Sequence, residues 1–353
     1  MTAQPSPSSF RVVLALLAVY LVWGSTFLAI LFAIDTIPPF TMAGTRFTIA
    51  GGLLYGFTRF RGSPRPTRPE WAGALVVGAL LLGVGNGGVT WAEQHISSGA
   101  AALFMASIPA WMVLLDWLRP RGRVPGAQEV LGVGLGMAGI LLLVGITAGA
   151  ALEGGHPAAT PVLVVSAFAW ALGSIASRSL PVPRSALQLT AMQMLMGGVL
   201  LLAGGSLAGE WGRLDPGAVS LKSLLALGYL VVFGSLLGFT AYVWLLRWAT
   251  PAVASSYAFV NPAIAVGLGW LLAGEQVGRS TLLAMGVIVA GVALIVLSVR
   301  NVPRPVRPAA SAYPGGVADA ADPGPAVGGP PGGSSVGDET VEPRARPRVG
   351  RST

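Results

Sequence analysis

The sequence predicts an all-α integral membrane protein. It has ten transmembrane helices in two inverted five-helix repeats, both termini inside, and a disordered C-terminal tail. Three observations carry this reading. Of 353 residues, 53% are hydrophobic and only 10% charged, and the mean hydropathy is +0.70. A soluble domain carries about 25% charged residues, so the solvent for most of this chain is lipid. Second, residues 85–118 recur at 238–271, an offset of 153, with nine of 34 positions identical, among them Trp91/Trp244, Pro109/Pro262 and Trp117/Trp270. Third, basic residues gather in alternate breaks between the apolar runs.

A spanning helix needs about 20 mostly apolar residues. Runs of that kind fall at 11–33, 39–59, 71–92, 99–118, 128–147, 160–178, 185–206, 221–246, 251–273 and 280–300. The first is longer than the roughly 7–15-residue core of a signal peptide and lacks a clear small-x-small cleavage site, so it reads as a retained helix. The breaks are short and rich in Pro, Gly and charge, such as RFRGSPRPTRPE at 59–70.

The repeat extends beyond the opening match. Gly51, Gly52 and Leu54 match Gly197, Gly198 and Leu200, while Gly134, Ala138, Gly139 and Leu142 match Gly286, Ala290, Gly291 and Leu294. Fixed-offset similarity of this kind marks an internal duplication. The expected organisation is a cytoplasmic segment 1–10, a first repeat 11–147, a connecting loop 148–159, a second repeat 160–300 and a cytoplasmic tail 301–353. Five is odd, so the two copies must lie in opposite orientations. With the N-terminus inside, fourteen arginines between Arg11 and Arg307 fall on the inner side, against Arg213, Lys222 and Arg279 outside. Lys and Arg concentrate on the cytoplasmic side of membrane proteins. The net charge of +8 is thereby explained by topology, and nucleic acid is not needed. The tail is dominated by Pro, Gly and Ala and cannot bury enough apolar area to order itself. Its basic cluster Arg344, Arg346, Arg348 and Arg351 reads as solvated, with contact to anionic lipid as the alternative.

Several soluble-enzyme motifs lack their context. Gly83-x-Gly85-x-x-Gly88 and Gly134-x-Gly136-x-x-Gly139 fit GxGxxG but follow no strand, as the dinucleotide reading requires. Inside membrane helices, small residues serve close backbone approach. The GxSxG at 333–337 lies in the tail with no strand-turn-helix around it. There is no Walker sequence and no cysteine, and His95 and His156 have no ligand cluster near them in sequence. No cofactor and no metal is expected.

The polar residues inside the runs carry the functional argument. Arg46 lies about 10 Å from the outer end of its helix at 1.5 Å per residue. An Arg at membrane depth costs about 2.5–3.5 kcal/mol on insertion scales and faces a cavity or a partner. Glu93 lies at a similar depth on the next helix. Two readings stand: the two form a gate or bind a charged substrate group, or they form a helix–helix ion pair or snorkel to the interface. Ser166, Trp170, Ser174 and Ser177 share one helical face, as do Trp23 with Thr26, and Tyr257 with Asn261. Asn86 and Gln193 have amide tips unsuited to lipid. Singly, each Ser or Thr reads as bonding its own backbone; together these residues point to a polar, aromatic-lined cavity. Pro109 and Pro262 sit mid-helix at equivalent places, where each removes a hydrogen bond and kinks the chain. The kink serves either as a bending gate or as a static feature. Asp116 lies close to Arg119 and Arg121 and reads as interfacial pairing.

Trp23-Gly24-Ser25-Thr26-Phe27, Pro38-Pro39, Arg46-Phe47, Gly85-Asn86, Ala92-Glu93, Tyr257, Asn261-Pro262 and Gly274-Glu275 resemble the EamA-type drug/metabolite transporters. Within that superfamily residues 11–300 are most similar to the bacterial ten-helix metabolite and amino-acid exporters. The resemblance implies two inverted repeats, a central cavity, alternating access without ATP, and fifth and tenth helices outside the cavity. The membrane-embedded Glu that small multidrug relatives use for proton coupling has no match in 11–33. The sequence thus reads as a secondary transporter of the bacterial inner membrane, exporting small metabolites or amino-acid-like compounds. Its cavity would be lined by Trp23, Thr26, Arg46, Asn86, Glu93, Trp170, Ser174, Gln193, Tyr257 and Asn261. The expected partners are a small-molecule substrate and the bilayer, and a homodimer is compatible with the sequence. A polytopic membrane enzyme and a channel or structural membrane protein are the alternatives. The enzyme would need converging acid, base or metal groups at membrane depth, and few are present.

Overall fold

A computed structural model describes residues 8–120, 122–151, 156–273 and 279–297. The tail 301–353, Arg121, the Gly274-Glu275 turn and residues 152–155 of the connecting loop lie outside them. Every regular element among the described residues is a helix, and none is a strand. The segments are α1 (Ser9–Ala33), α2 (Pro39–Phe60), α3 (Arg68–Ala92), α4 (Ser98–Leu118) and α5 (Ala127–Ala151). Then follow α6 (Ala159–Ala176), α7 (Ala186–Leu207), α8 (Leu221–Trp248), α9 (Pro251–Ser255 with Tyr257–Ala273) and α10 (Arg279–Leu297).

Six of these, α1, α3, α4, α6, α7 and α8, are long and apolar enough to cross a membrane, and shorter apolar helices span Ala127–Leu142 and Leu282–Leu297. Helix α2 is long enough, but Thr41, Thr45, Arg46, Thr48, Thr58 and Arg59 dilute its apolar character. Side chains such as Leu14, Leu21, Leu53, Leu141 and Leu225 point outward as a belt suited to acyl chains.

The main helix pairings are kept when the two halves are exchanged. Helix α2 packs against α7 and α5 against α10; α1 packs against α8 and α9, just as α6 packs against α3 and α4. Glycines set the two self-paired contacts. A Cβ on Gly51 would lie 2.7 Å from the Leu195 nitrogen, and one on Gly198 2.7 Å from the Thr48 nitrogen, so α2 and α7 meet backbone to backbone. Between α5 and α10 a Cβ on Gly291 would lie 2.6 Å from the Gly136 nitrogen and 2.7 Å from the Gly132 oxygen. The contact register sets Gly132 and Gly136 against Gly291 and Gly139 against Ile288 and Ala284, while Gly134 and Gly286 face open space. Small residues let helices associate where lipid supplies no hydrophobic drive between them.

The two prolines behave differently. Helix α4 breaks at Ala106–Ser107, where Ser107 N–H bonds back three residues to Phe104 O, and Pro109 sits in the first turn of the piece that follows. At that position its missing N–H removes no helical bond, so Pro109 is not mid-helix as the sequence predicts. Pro262 does lie inside its helix. In α9 the break comes earlier, at Ser256, whose side chain bonds the Val253 carbonyl at 2.8 Å.

Helix α2 starts at Pro39 with no side-chain cap of its own. Glu210, in the turn after α7, supplies one from the other half. Its carboxylate accepts from Phe40 N (3.1 Å), Thr41 N (2.7 Å) and Thr41 Oγ1 (2.8 Å). The helix dipole favours an anion at that end.

Candidate functional site

The middle of the bundle encloses a cavity lined from seven helices. Trp23, Thr26, Phe27 and Ile30 come from one face of α1, Arg46 from α2, and Asn86 and Val89 from α3. Met105 and Ile108 flank the break in α4, and Trp170, Phe239, Tyr257 and Asn261 complete the wall from α6, α8 and α9. About 50 Å³ is open to water centres, room for a few waters at 10–15 Å³ each.

Trp23 is the hub of the aromatic wall. Its ring lies 5.5 Å from Trp170, 5.0 Å from Phe239, 5.0 Å from Tyr242 and 4.8 Å from Tyr257, centroid to centroid. Edge-to-face contacts of this kind are favoured by the ring quadrupole. The polar tips are tied behind the wall. Trp170 Nε1 donates to Tyr242 Oη at 3.1 Å, Ser174 Oγ donates to the Trp170 carbonyl at 2.7 Å, and Ser174 Oγ and Tyr242 Oη lie 2.6 Å apart. With the serine proton given to the carbonyl, Tyr242 is the donor to Ser174, and the three groups close a ring that holds Trp170 in place.

Arg46 is 1% exposed. Its Nε donates to Ser235 Oγ at 2.8 Å and its guanidinium carbon lies 4.6 Å from the Phe47 ring centre. Its Nη1 has no hydrogen-bond partner among the described residues. Glu93 is also buried, and neither of its carboxylate oxygens is hydrogen bonded within the described residues. Arg46 and Glu93 make no ion pair among the described residues, so the helix–helix ion pair that one reading of the sequence expected does not form. Buried polar atoms of charged groups left without hydrogen bonds are expensive, and Arg46 Nη1 and both Glu93 oxygens are such atoms.

The structure thus brings Trp23, Thr26, Arg46, Asn86, Trp170, Tyr257 and Asn261 to one cavity, and leaves Glu93, Ser174 and Gln193 off its wall. Ser174 is spent on the Trp170–Tyr242 ring. Gln193 is buried on α7, where α3 passes so closely that a Cβ on Gly78 would lie 2.5 Å from the Gln193 carbonyl. Thr26 bonds its own backbone at Trp23 O, 2.8 Å away, and Ser166 bonds Val162 O at 2.8 Å. Asp116 pairs with Arg119 at 2.8 Å, as expected. His95 and His156 are not isolated from each other: their ring centroids lie 5.0 Å apart, both against Trp91. No group of three metal-binding side chains occurs among the described residues. Sequence reasoning missed Phe239, Tyr242, Ser235 and Met105; the first two fall four and seven positions after Ser235 on a run with no polar stripe, so periodicity did not single them out.

Two π-helical turns organise the site, at Ala79–Asn86 in α3 and Leu230–Leu237 in α8. They occupy equivalent places in the two halves. π-turns inside α-helices are rare and recur at functional sites. Each has a backbone carbonyl that accepts from the opposite half: Ser166 Oγ donates to Val84 O at 3.2 Å, and Trp23 Nε1 donates to Gly234 O at 3.0 Å. The second turn also carries Ser235, the partner of Arg46. A Cβ on Gly234 would lie 2.8 Å from Arg46 Nη2, and one on Gly238 2.3 Å from Trp23 Nε1, so both side chains occupy space that only glycine leaves.

The EamA-like transporter family matches twice, over residues 10–145 and 159–297. The chain belongs to the EamA-like transporter family. It is similar to the uncharacterized inner membrane transporter YedA of Escherichia coli K12, 39% identical over 284 residues, which cover 80% of this chain and 90% of YedA. It is also similar to the S-adenosylmethionine/S-adenosylhomocysteine transporter of Chlamydia muridarum, 27% identical over 285 residues, 78% of this chain and 88% of that one. A solved crystal structure with 20% identity superposes with a TM-score of 0.65 over 84% of this chain and 100% of the other, and shares its fold. This EamA-family chain is a multi-pass transporter of the inner membrane, and its relatives carry transporter names.

Proposed function

We propose that this EamA-family transporter is a secondary carrier that exports small metabolites or amino-acid-like compounds by alternating access. In this reading α1–α10 all cross the membrane, with both termini inside and the two five-helix halves inverted. The excess of inner arginines supports the orientation, and the helix pairings kept on exchange support two halves that rock against each other.

One observation carries the assignment: a buried Arg46 with a free guanidinium nitrogen, on a cavity walled by Trp23, Trp170, Phe239 and Tyr257. Arg binds carboxylates through planar, charge-assisted hydrogen bonds, and aromatic walls receive the rest of a small organic molecule. Asn86 and Asn261 add orienting amides. The Chlamydia relatives named for S-adenosylmethionine carry an amino-acid moiety in their substrate, which is compatible with such a site. Substrate pockets of drug-sized ligands hold about 300–1,000 Å³, far above the 50 Å³ present here. The structure is therefore read as a closed conformer, and transport requires the halves to separate. Glu93, buried with both oxygens unpaired, is the acid proposed to carry a proton.

The test is counterflow of labelled amino acids and S-adenosyl compounds into proteoliposomes, after a thermal-shift screen has chosen candidates. Saturable flux that an unlabelled competitor blocks, lost in Arg46→Gln, is the expected result. Flux that never saturates would make the protein a channel. A Glu93→Gln variant with unchanged transport at every pH would remove Glu93 as a proton carrier.

A further inference from the structure

An open groove of about 520 Å³ runs down the outside of the bundle between α1 and α8, away from the central cavity. Its walls are Phe32 and Ala29 on α1, and Leu225, Ala226 and Tyr229 on α8. They are almost wholly apolar, as an acyl chain requires. The floor is closed where Tyr229 Oη meets Ser25 Oγ at 2.6 Å. From Lys222 to Tyr229 the groove is about 10 Å deep at 1.5 Å per residue.

The mouth is different. Lys222, the single lysine of the chain, lies 3.2 Å from Asp35 and 4.6 Å from the Phe32 ring centre. Both charged side chains stay about half exposed, at 54% and 56%. Lys222 is the second residue of α8, at the positive end of the helix dipole, where a cation is disfavoured and an anion is favoured. Ser220 Oγ caps the Ser223 N–H at 3.1 Å, and Asp35 offsets part of the remaining field. The mouth therefore offers a positive subsite, made by Lys222 and the helix end, directly beside a negative one.

We infer that this groove binds a phospholipid whose headgroup carries both a phosphate and a primary ammonium, a phosphoethanolamine lipid. The phosphate sits at Lys222 and the first turn of α8, the ammonium donates to Asp35, and one acyl chain lies in the groove toward Tyr229. A choline headgroup has no N–H to donate to Asp35, and a glycerol headgroup brings no cation for it. The inference concerns the lipid-facing surface and does not depend on the transport reading of the central cavity.

The test is native mass spectrometry of the full-length protein, reconstituted with equal parts of phosphatidylethanolamine, phosphatidylcholine and phosphatidylglycerol of one acyl composition. The wild type is expected to retain phosphatidylethanolamine about threefold over the others, the scale of a half-exposed ion pair. Asp35→Asn abolishes that preference, Lys222→Ala lowers retention of all three lipids, and Leu225→Trp, which fills the groove, does the same without touching a charge. Melting temperatures near wild type show that the variants are folded. Equal retention of the three lipids by the wild type overturns the inference. So does a retention profile that all three variants leave unchanged, and retention of phosphatidylglycerol above phosphatidylethanolamine overturns the headgroup assignment.

Discussion

The two π-turns, at Ala79–Asn86 and Leu230–Leu237, have the same backbone form and unequal contents. The first presents Asn86 to the cavity and receives a hydrogen bond from Ser166, a small side chain that also bonds its own helix. The second receives Trp23, the centre of the aromatic wall, and fixes Arg46 through Ser235. Duplication thus supplied two matching places where one half reaches into the other. Divergence then loaded one of them with the charge and the largest ring. The symmetric part of the structure belongs to packing, and the unmatched part to the proposed chemistry: the residue equivalent to Arg46 in the second half is Met192, fully buried and apolar.

The most severe way to break this asymmetry is at Arg46. Replacing it by Gln removes the charged donor that bonds Ser235, a loss of about 1.5–3 kcal/mol. Transport falls by more than about tenfold, since a hydrogen bond from a charged donor to substrate contributes on the same scale, about 1.5–3 kcal/mol. Thermal melting and counterflow of Arg46→Gln read the two losses separately.

Next come the glycines. Gly238→Ala places a methyl 2.3 Å from the Trp23 indole nitrogen and is expected to destabilise by about 2–3 kcal/mol through overpacking. Gly83→Ala, in the first π-turn, meets nothing nearer than 4.0 Å and is expected to be neutral or stabilising by up to about 1 kcal/mol. Equal shifts in melting temperature for the two would mean that the turns are not differently loaded. Trp23→Phe removes the bond to Gly234 O and is expected to cost about 1–2 kcal/mol, together with intrinsic-fluorescence changes on substrate binding. Ser166→Ala, its counterpart, removes a hydroxyl whose single proton is shared between Val84 O and Val162 O and costs about 0.5–1 kcal/mol. Chemical denaturation in detergent ranks the pair, and the reverse order would count against the second turn as the site-bearing one.

Much of the fold was legible because it rests on periodicity and repetition. Trp91/Trp244 and Pro109/Pro262 revealed the duplication, and within the described residues each apolar run falls on a helix. Arg46 announced itself because a charge at membrane depth needs a reason, and Trp23, Trp170, Tyr257 and Asn261 announced themselves by helical spacing. The missing parts depend on long-range geometry. A π-turn has no residue signature, so the phase change it imposes on α8 hid Ser235 and Phe239. Glu93 looked like a cavity residue from its depth, but depth does not say which way a side chain faces. Gln193 has the right chemistry on the α3-facing side of α7, where close backbone contact leaves no cavity. His95 and His156 are 61 positions apart, and only the chain's return at the start of α6 joins them.

The Glu210 clasp on α2 has a consequence for how the molecule is made. The carboxylate that completes the first turn of α2 lies 169 residues downstream of Thr41, so at synthesis rates of about 5–20 residues per second α2 waits roughly ten to thirty seconds for its cap. During that interval its leading amide groups rely on interfacial water. The first half is thus an unfinished intermediate, sealed when the chain after α7 emerges on the same side, and separately expressed halves should each be short-lived until they meet.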